Sequence, residues 1–212
     1  MRLLELFAGT SSISRAFEKR GFETTSLDSL KIYSPDILID IMTWEYDTYP
    51  PGFFDVIWAS PPCTEYSRVK RGPRDLEGAD AIVRRTLEII CYFKPRLWFI
   101  ENPATGLLPK RDFMQGISFR DLSYCKYGKK YRKNTRIWTN IGDKWVSHPI
   151  CRRDCESMDG TRHIATAQKG PERDGRGGNF TRHELYAVPN QLCEELANAC
   201  VLFLAQADAR DG

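Results

Sequence analysis

Phe54-Asp-Val-Ile-Trp-Ala-Ser-Pro-Pro-Cys-Thr-Glu-Tyr-Ser67 opens as an apolar run and closes on a reactive side chain. Val56-Ile57-Trp58-Ala59 has the length and composition of a buried strand. Pro61 and Pro62 end it, because proline carries no N–H for the next rung of a ladder. Cys63 follows at once. Open α/β sheets bind ligands just beyond the carboxyl ends of their strands, so a thiol there is a candidate nucleophile.

Upstream, Arg2-Leu-Leu-Glu-Leu-Phe7 reads as a first strand and Ala8-Gly9-Thr-Ser-Ser12 as a turn. A helix is expected from Ile13 to about Lys19, stopped by Gly21. Phe22 to Leu27 reads as a second strand ending at Asp28, nineteen residues after Gly9. Strand, glycine turn, helix, strand and acid is the layout of a nucleotide-binding half. The turn admits ligand close to backbone, and the acid can take ribose hydroxyls. A short third strand, Ile37 to Ile41, carries Asp40 near its end.

Downstream, a basic loop runs from Arg68 to Gly78, and Ile82, Leu87, Ile90 and Phe93 space one face of a helix from Ala79 to Phe93. Arg96 to Ile100 reads as a strand that ends in Glu101-Asn102-Pro103. Alternating strands and helices make a parallel sheet whose carboxyl ends converge. Gly9, Asp28, Asp40, Cys63 and Glu101 therefore meet on one edge, which packing alone does not require. Phe119 to Tyr127 and Arg132 to Thr139 alternate like strands of an antiparallel half, and Pro189 to Ala205 reads as a closing helix turned inward at Leu192, Leu196 and Ala199.

The 212 residues suffice for one substantial core, and no run approaches a membrane span. The amino-terminal residues lack the pattern of a signal peptide, so an intracellular, cytoplasmic protein is expected. Its seven cysteines then read as reduced, catalytic or metal-bound. Net charge is only +3, but basic residues cluster at Arg68, Lys70, Arg71 and Arg74 and again at Lys129, Lys130, Arg132, Lys133 and Arg136. Such clusters suit a phosphate backbone. Between Asn140 and Arg182 there is little periodicity. His148, Cys151, Cys155 and His163 fall there and could bind structural zinc, with Cys125 able to replace either histidine. Gly170 to Gly178 reads as a loop, and Cys91, Cys193 and Cys200 read as core.

Five blocks, taken in order, resemble the cytosine-C5 DNA methyltransferase family, and the short overall style is similar to phage- or virus-encoded members. Leu4-Glu-Leu-Phe-Ala-Gly9 resembles the S-adenosylmethionine-binding motif, Pro61-Pro-Cys63 the nucleophile motif, and Glu101-Asn-Pro103 the catalytic glutamate motif. Arg132-Lys-Asn-Thr-Arg136 is similar to the strand of base-contacting arginines, and Leu185-Tyr-Ala-Val-Pro189 to the final motif, which packs against the cofactor end. Three departures stand out. Thr10 and Ser11 replace glycines, Asn134 replaces an arginine, and about forty residues (140–182) stand where the family keeps a large target-recognition domain.

The resemblance implies an α/β, Rossmann-like class I S-adenosylmethionine-dependent methyltransferase sheet with helices on both faces and a small irregular insert. It divides the chain into a core (1–139), an insert (140–182) and a helix completing the core (183–212). It implies methyl transfer to cytosine C5 in DNA, with Cys63 adding at C6, Glu101 hydrogen-bonding N3 and the exocyclic amine, and Arg136 holding O2 or the adjacent backbone. Phe7, Gly9, Thr10, Ser11 and Pro61 would line the cofactor bed, Asp28 would take the ribose and Asp40 the adenine amine. The basic loop could lower the Cys63 pKa. Arg68, Lys70, Arg71, Arg132, Lys133 and Asn134 would face nucleic acid, either duplex DNA with the base flipped out or a single strand. A separate partner could supply specificity. Methylation of transfer RNA, or a non-catalytic nucleic-acid-binding role, is also compatible with these residues.

Overall fold

β4 (Val56–Ala59) is buried throughout and runs parallel to β1 (Arg2–Leu6) on one side and β5 (Leu97–Pro103) on the other. The structure is a computed structural model that describes residues 1–167, 178 and 180–211. Most of the glycine-rich run from Gly170 to Gly178 lies outside the described residues.

Outward from β1, the sheet continues in parallel through β2 (Glu23–Asp28) to β3 (Ile37–Leu38). On the far side, β7 (Asn134–Thr139) pairs antiparallel with β5, and β6 (Phe119–Ser123) pairs antiparallel with β7. The seven-stranded order is β3-β2-β1-β4-β5-β7-β6. The expected α/β Rossmann-like sheet is present, with five parallel strands and the antiparallel pair at one edge.

Each face buries its own core. Helices α1 (Ser12–Glu18) and α4 (Asn190–Asp211) cover one face, where Ile13, Phe17, Leu192, Leu196 and Cys200 pack on Leu3, Val56, Trp58 and Phe99. Helix α2 (Leu76–Phe93) covers the other, placing Val83, Ile89, Ile90 and Phe93 against Leu4, Leu6, Ile57 and Ile100. Alternate strand residues supply the two cores, as a pleat buried on both sides requires. A short helix, α3 (Arg182–Tyr186), begins with a Thr181–Glu184 capping box.

Several boundaries differ from expectation for local reasons. Helix α2 starts at Leu76 rather than Ala79 because Asp75 caps it, accepting the Gly78 N–H at 2.8 Å. Its buried face centres on Val83, Thr86 and Ile90, with Ile82 and Leu87 on the flanks. β3 is an edge strand of two residues, and β6 stops at Ser123, where Tyr124–Tyr127 winds into a 3-10 turn closed by Gly128 at φ 84°. Cys193 and Cys200 are buried, but Cys91 is exposed and not part of the core. Among the described residues, the stretch 140–182 contributes a ribbon of two short strands, β8 (Met158–Asp159) with β9 (Arg162–His163). Among the described residues, no helix is long and apolar enough to cross a membrane.

Candidate active site

The carboxyl ends of β1, β2, β4 and β5 enclose a cavity of 210 Å³. Its floor is the turn after β1. Phe7, Gly9 and Ser11 all adopt left-handed backbone, at φ 59°, 47° and 50°. A bulky L-residue such as Phe7 rarely does so, and backbone held this way clusters at binding sites. The bend is fixed from two sides: Arg15 donates to the Thr10 carbonyl at 2.6 Å, and the Gly9 N–H donates to Asp28 at 2.9 Å.

Asp28 closes β2 and faces the same cavity. One carboxylate oxygen accepts the Gly9 N–H and the other the Leu30 N–H, also at 2.9 Å. A carboxylate has about four acceptor sites, so capacity remains for two ligand hydroxyls. Glu5 lies deeper, in the middle of β1, and accepts the N–H (2.9 Å) and hydroxyl (2.5 Å) of Ser14. Burial pushes its pKa up to about 7 despite those donors.

Cys63 and Glu101 line this one cavity from adjacent strands. Asn102 braces them: its side-chain amide donates to the Pro61 carbonyl at 2.9 Å, tying the end of β5 to the Cys63 loop. The Asn102 Oδ1 has no hydrogen-bond partner among the described residues. Glu101 accepts the Tyr124 hydroxyl at 3.0 Å, and the Lys133 ammonium stands 3.6 Å from the same oxygen. Lys133 also lies over the Tyr124 ring, 4.8 Å from its centroid. Burial raises the Cys63 pKa above that of an ordinary thiol; Lys133 opposes the shift and Glu101 adds to it. The basic loop does not make Cys63 a resting thiolate.

Phe7, Gly9, Thr10, Asp28, Pro61, Cys63, Glu101 and Lys133 all reach the cavity. Ser11 does not; it is the residue just before helix α1. Asp40 does not either. It is exposed beyond β3 and accepts the Met42 N–H at 2.9 Å. Arg136 is directed elsewhere by strand parity. Glu101 pairs with Ile137 and Asn102 with Arg136, so Arg136 occupies the face opposite Glu101. There it makes two 2.7 Å bonds to Asp121 and stacks 3.4 Å over Phe119. On the Glu101 face β7 presents Ile137 and Thr135, and Lys133 lies one step before the strand.

The two basic clusters divide as well. Lys70 pairs with Glu65, and Arg74 donates to the carbonyls of Glu65, Ser67 and Lys70, so both hold the loop in shape. Arg68 and Arg71 are exposed on that loop and Arg132 is exposed beside β7, while Asn134 accepts the Ser123 hydroxyl at 2.7 Å. Cys125, not His148, completes the cluster with Cys151, Cys155 and His163. His148 sits against the Tyr127 ring and 3.8 Å from Glu195.

Glu5 and Tyr124 were not singled out in the sequence. A lone carboxylate inside Leu3-Leu-Glu-Leu6 is the available signal for Glu5, since a buried charge demands a reason. Tyr124 carried none, because its role depends on strand pairing. Tyr186 and Val188 also line the cavity, bringing the Leu185–Pro189 block back to the β1 end.

Comparison with known proteins bears on the fold and the family. The structure superposes on a DNA modification methyltransferase encoded within an E. coli prophage with a TM-score of 0.50, at 13% identity, over 66% of this chain and 46% of that one. The S. pombe Dnmt2 methyltransferase gives 0.48 at 16% identity over 66% of this chain and half of its own. At 13% identity the prophage protein speaks for the fold alone. A protein of Frog virus 3 (isolate Goorha), described as "Probable DNA (cytosine-5)-methyltransferase", is 32% identical over 94% of this chain and its own full length. The family model for C-5 cytosine-specific DNA methylase matches residues 1–117, which span Gly9, Asp28, Cys63 and Glu101. The chain belongs to the C-5 cytosine-specific DNA methylase family.

Proposed function

We propose that this protein transfers a methyl group from S-adenosylmethionine to C5 of cytosine in DNA, through a covalent bond between Cys63 and C6. The observation that carries this reading is the shared cavity: thiol, carboxyl, ribose-type acid and left-handed turn open on one hollow. That hollow fits the cofactor. Asp28 has acceptor sites left for hydroxyls, Phe7 to Thr10 bring backbone to its floor, and Glu5 offers a carboxylate to a cationic end. Bound there, S-adenosylmethionine supplies the electrophilic methyl group.

The chain's own residues prepare the base. Glu101 hydrogen-bonds N3 and the exocyclic amine, and as Cys63 adds to C6 it stabilises the charge gathering at N3. As the S–C6 bond forms, the thiol proton is taken up through Glu101 and delivered to N3, so that C5 becomes an enamine-like nucleophile. After methylation a base takes the C5 proton, the C–H electrons re-form the C5=C6 bond, and the S–C6 bond breaks to release Cys63 as thiolate. Burial disfavours the thiolate and the Glu101 charge opposes it. A base that hydrogen-bonds Glu101 relieves part of that opposition, so recognition and activation act together, while Lys133 steadies the developing sulfur charge.

A cytosine inside a duplex cannot enter a hollow at a sheet edge, so it must be flipped out or already unpaired. Arg68, Arg71 and Arg132 are the exposed cations we assign to the flanking phosphates. We also propose the division into core (1–139), insert (140–182) and closing helix (183–212), with the insert, or a separate partner, contributing sequence choice.

Labelled cofactor offered with duplex DNA, single-stranded DNA and transfer RNA separately tests the reading. Label should enter DNA cytosine C5, and Cys63→Ala should abolish it. Label in RNA alone, or in DNA with Cys63→Ala, would overturn the proposal. Trapping on 5-fluorocytosine DNA should give a stable adduct at Cys63.

A further inference from the structure

Cys125, Cys151, Cys155 and His163 come from two distant stretches of chain, yet their ligand atoms all lie within 4.8 Å of one another. Cys125 sits in the Tyr124–Tyr127 turn after β6, and the other three belong to the insert. The His163 Nε2 is 3.5 Å from the Cys151 sulfur and 3.4 Å from the Cys155 sulfur. A tetrahedral site with Zn–S of about 2.3 Å and Zn–N of about 2.0–2.1 Å sets adjacent S and N ligands about 3.5 Å apart. The histidine therefore already stands at coordination distance from two thiols.

The surroundings explain why a metal is needed there. Among the described residues, Val146, Ile150 and Ile164 are exposed, so little apolar surface beyond Trp145 holds the insert in place. Ile141 and Trp145 root its start in the core, and beyond them polar bonds tie it to the neighbouring chain. Ser157 donates to the Lys129 carbonyl at 2.9 Å, the Ala165 N–H to that of Lys130 at 3.1 Å, and Lys126 pairs with Asp154 at 2.9 Å. All of them link the insert to residues 126–130, the stretch that Cys125 begins. Soft thiolates with one imidazole select zinc over harder cations.

We propose that Cys125, Cys151, Cys155 and His163 bind one structural zinc ion that staples the insert to the turn between β6 and β7. The bound metal takes the three sulfurs as thiolates, releasing their protons to solvent, and the neutral imidazole nitrogen. The staple has a second effect, which rests on the methyl-transfer reading. Cys125 follows Tyr124, whose hydroxyl bonds Glu101, so the metal also steadies the carboxyl that faces the base.

Metal analysis of the full-length protein, freshly purified from zinc-supplemented cells, should give about one zinc per chain. Replacement by cobalt(II) should give the visible bands of a tetrahedral, thiolate-rich site. His163→Ala and Cys155→Ser should lose the metal, whereas His148→Ala and Cys91→Ser should keep it. The cobalt spectrum needs no variant, so it decides the matter even if the cysteine variants do not fold. Folded protein without zinc that gives no cobalt bands, a disulfide among the three thiols, or loss of metal on His148→Ala would each overturn the proposal. Hydrogen exchange of stripped protein should rise in residues 124–133 and 150–165; an unchanged pattern would refute the staple. None of these readings depends on methyl transfer, so failure of the metal and failure of the activity are separable.

Discussion

The parallel and antiparallel halves of the sheet present their functional groups differently. In the parallel half, groups sit where strands stop: Gly9 after β1, Asp28 at the end of β2, Cys63 after β4 and Glu101 near the end of β5. Direction alone delivers them to one edge, and an error of one residue in a strand boundary changes little. In the antiparallel half, the groups lie along or just before β7, and a single step reverses the face. Lys133 meets Glu101, while Arg136, three residues on, turns away to Asp121. Edge chemistry tolerates approximate reading; chemistry on a strand does not.

Replacing Cys63 with Ala tests the edge most severely. Methyl transfer should fall by at least about 1,000-fold while cofactor affinity stays within a few-fold, because the lost group makes a bond to the base and not to the cofactor. Paired kinetics and calorimetry check both. Glu101→Gln should follow, losing about 100-fold to 1,000-fold in kcat as with other preorganised hydrogen-bond donors.

The strand offers a sharper contrast. Lys133→Met should slow methyl transfer by about 10-fold to 100-fold with little change in melting temperature, since it removes charge near Glu101 and the sulfur. Arg136→Met should do the reverse, costing about 1–3 kcal/mol of stability through Asp121 with chemistry largely intact. If Arg136→Met removes activity and leaves the melting temperature unchanged, the face assignment is wrong.

Thiol titration refines the same comparison. Alkylation of Cys63 in free protein should rise only above the pH at which ordinary thiols react, because burial raises its pKa. Lys133→Met removes a stabilising cation and should move the midpoint higher still. Glu101→Gln removes an opposing anion and should move it lower. The pH-dependent alkylation rate reads both directions.

The last contrast concerns Glu5. Its folded pKa of about 7 exceeds the ordinary carboxyl value of 4.5, so folding takes up a proton between these limits. Stability from this group is therefore fully present below about pH 4.5 and declines as pH rises through 7, by roughly 3 kcal/mol at most. Denaturant midpoints should fall across that window in the parent, and the fall should flatten in Glu5→Gln.

How much could be read from residues alone follows the same division. Val56–Ala59 with its terminating prolines announced a buried strand and a ligand edge. Asp28 could be found because an acid ending the second strand has few other duties. Asp40 looked equivalent but lies past a strand of only two residues, after which the chain turns outward. The Cys125 substitution for His148 depended on where β6 ends, and the link from Tyr124 to Glu101 on how β5, β7 and β6 pair. Those are non-local facts that no spacing contains.

The protonated resting state of Cys63 has a chemical consequence beyond catalysis. Peroxide and disulfides react with thiolates, so a half-covered thiol that keeps its proton resists the oxidative damage common to exposed, ionised cysteines. Thiol-directed reagents should likewise act slowly on the free enzyme, whereas an electrophile carried on a cytosine analogue would meet the sulfur as it becomes reactive. Selectivity against this protein would then depend on mimicking the base and not on reagent strength.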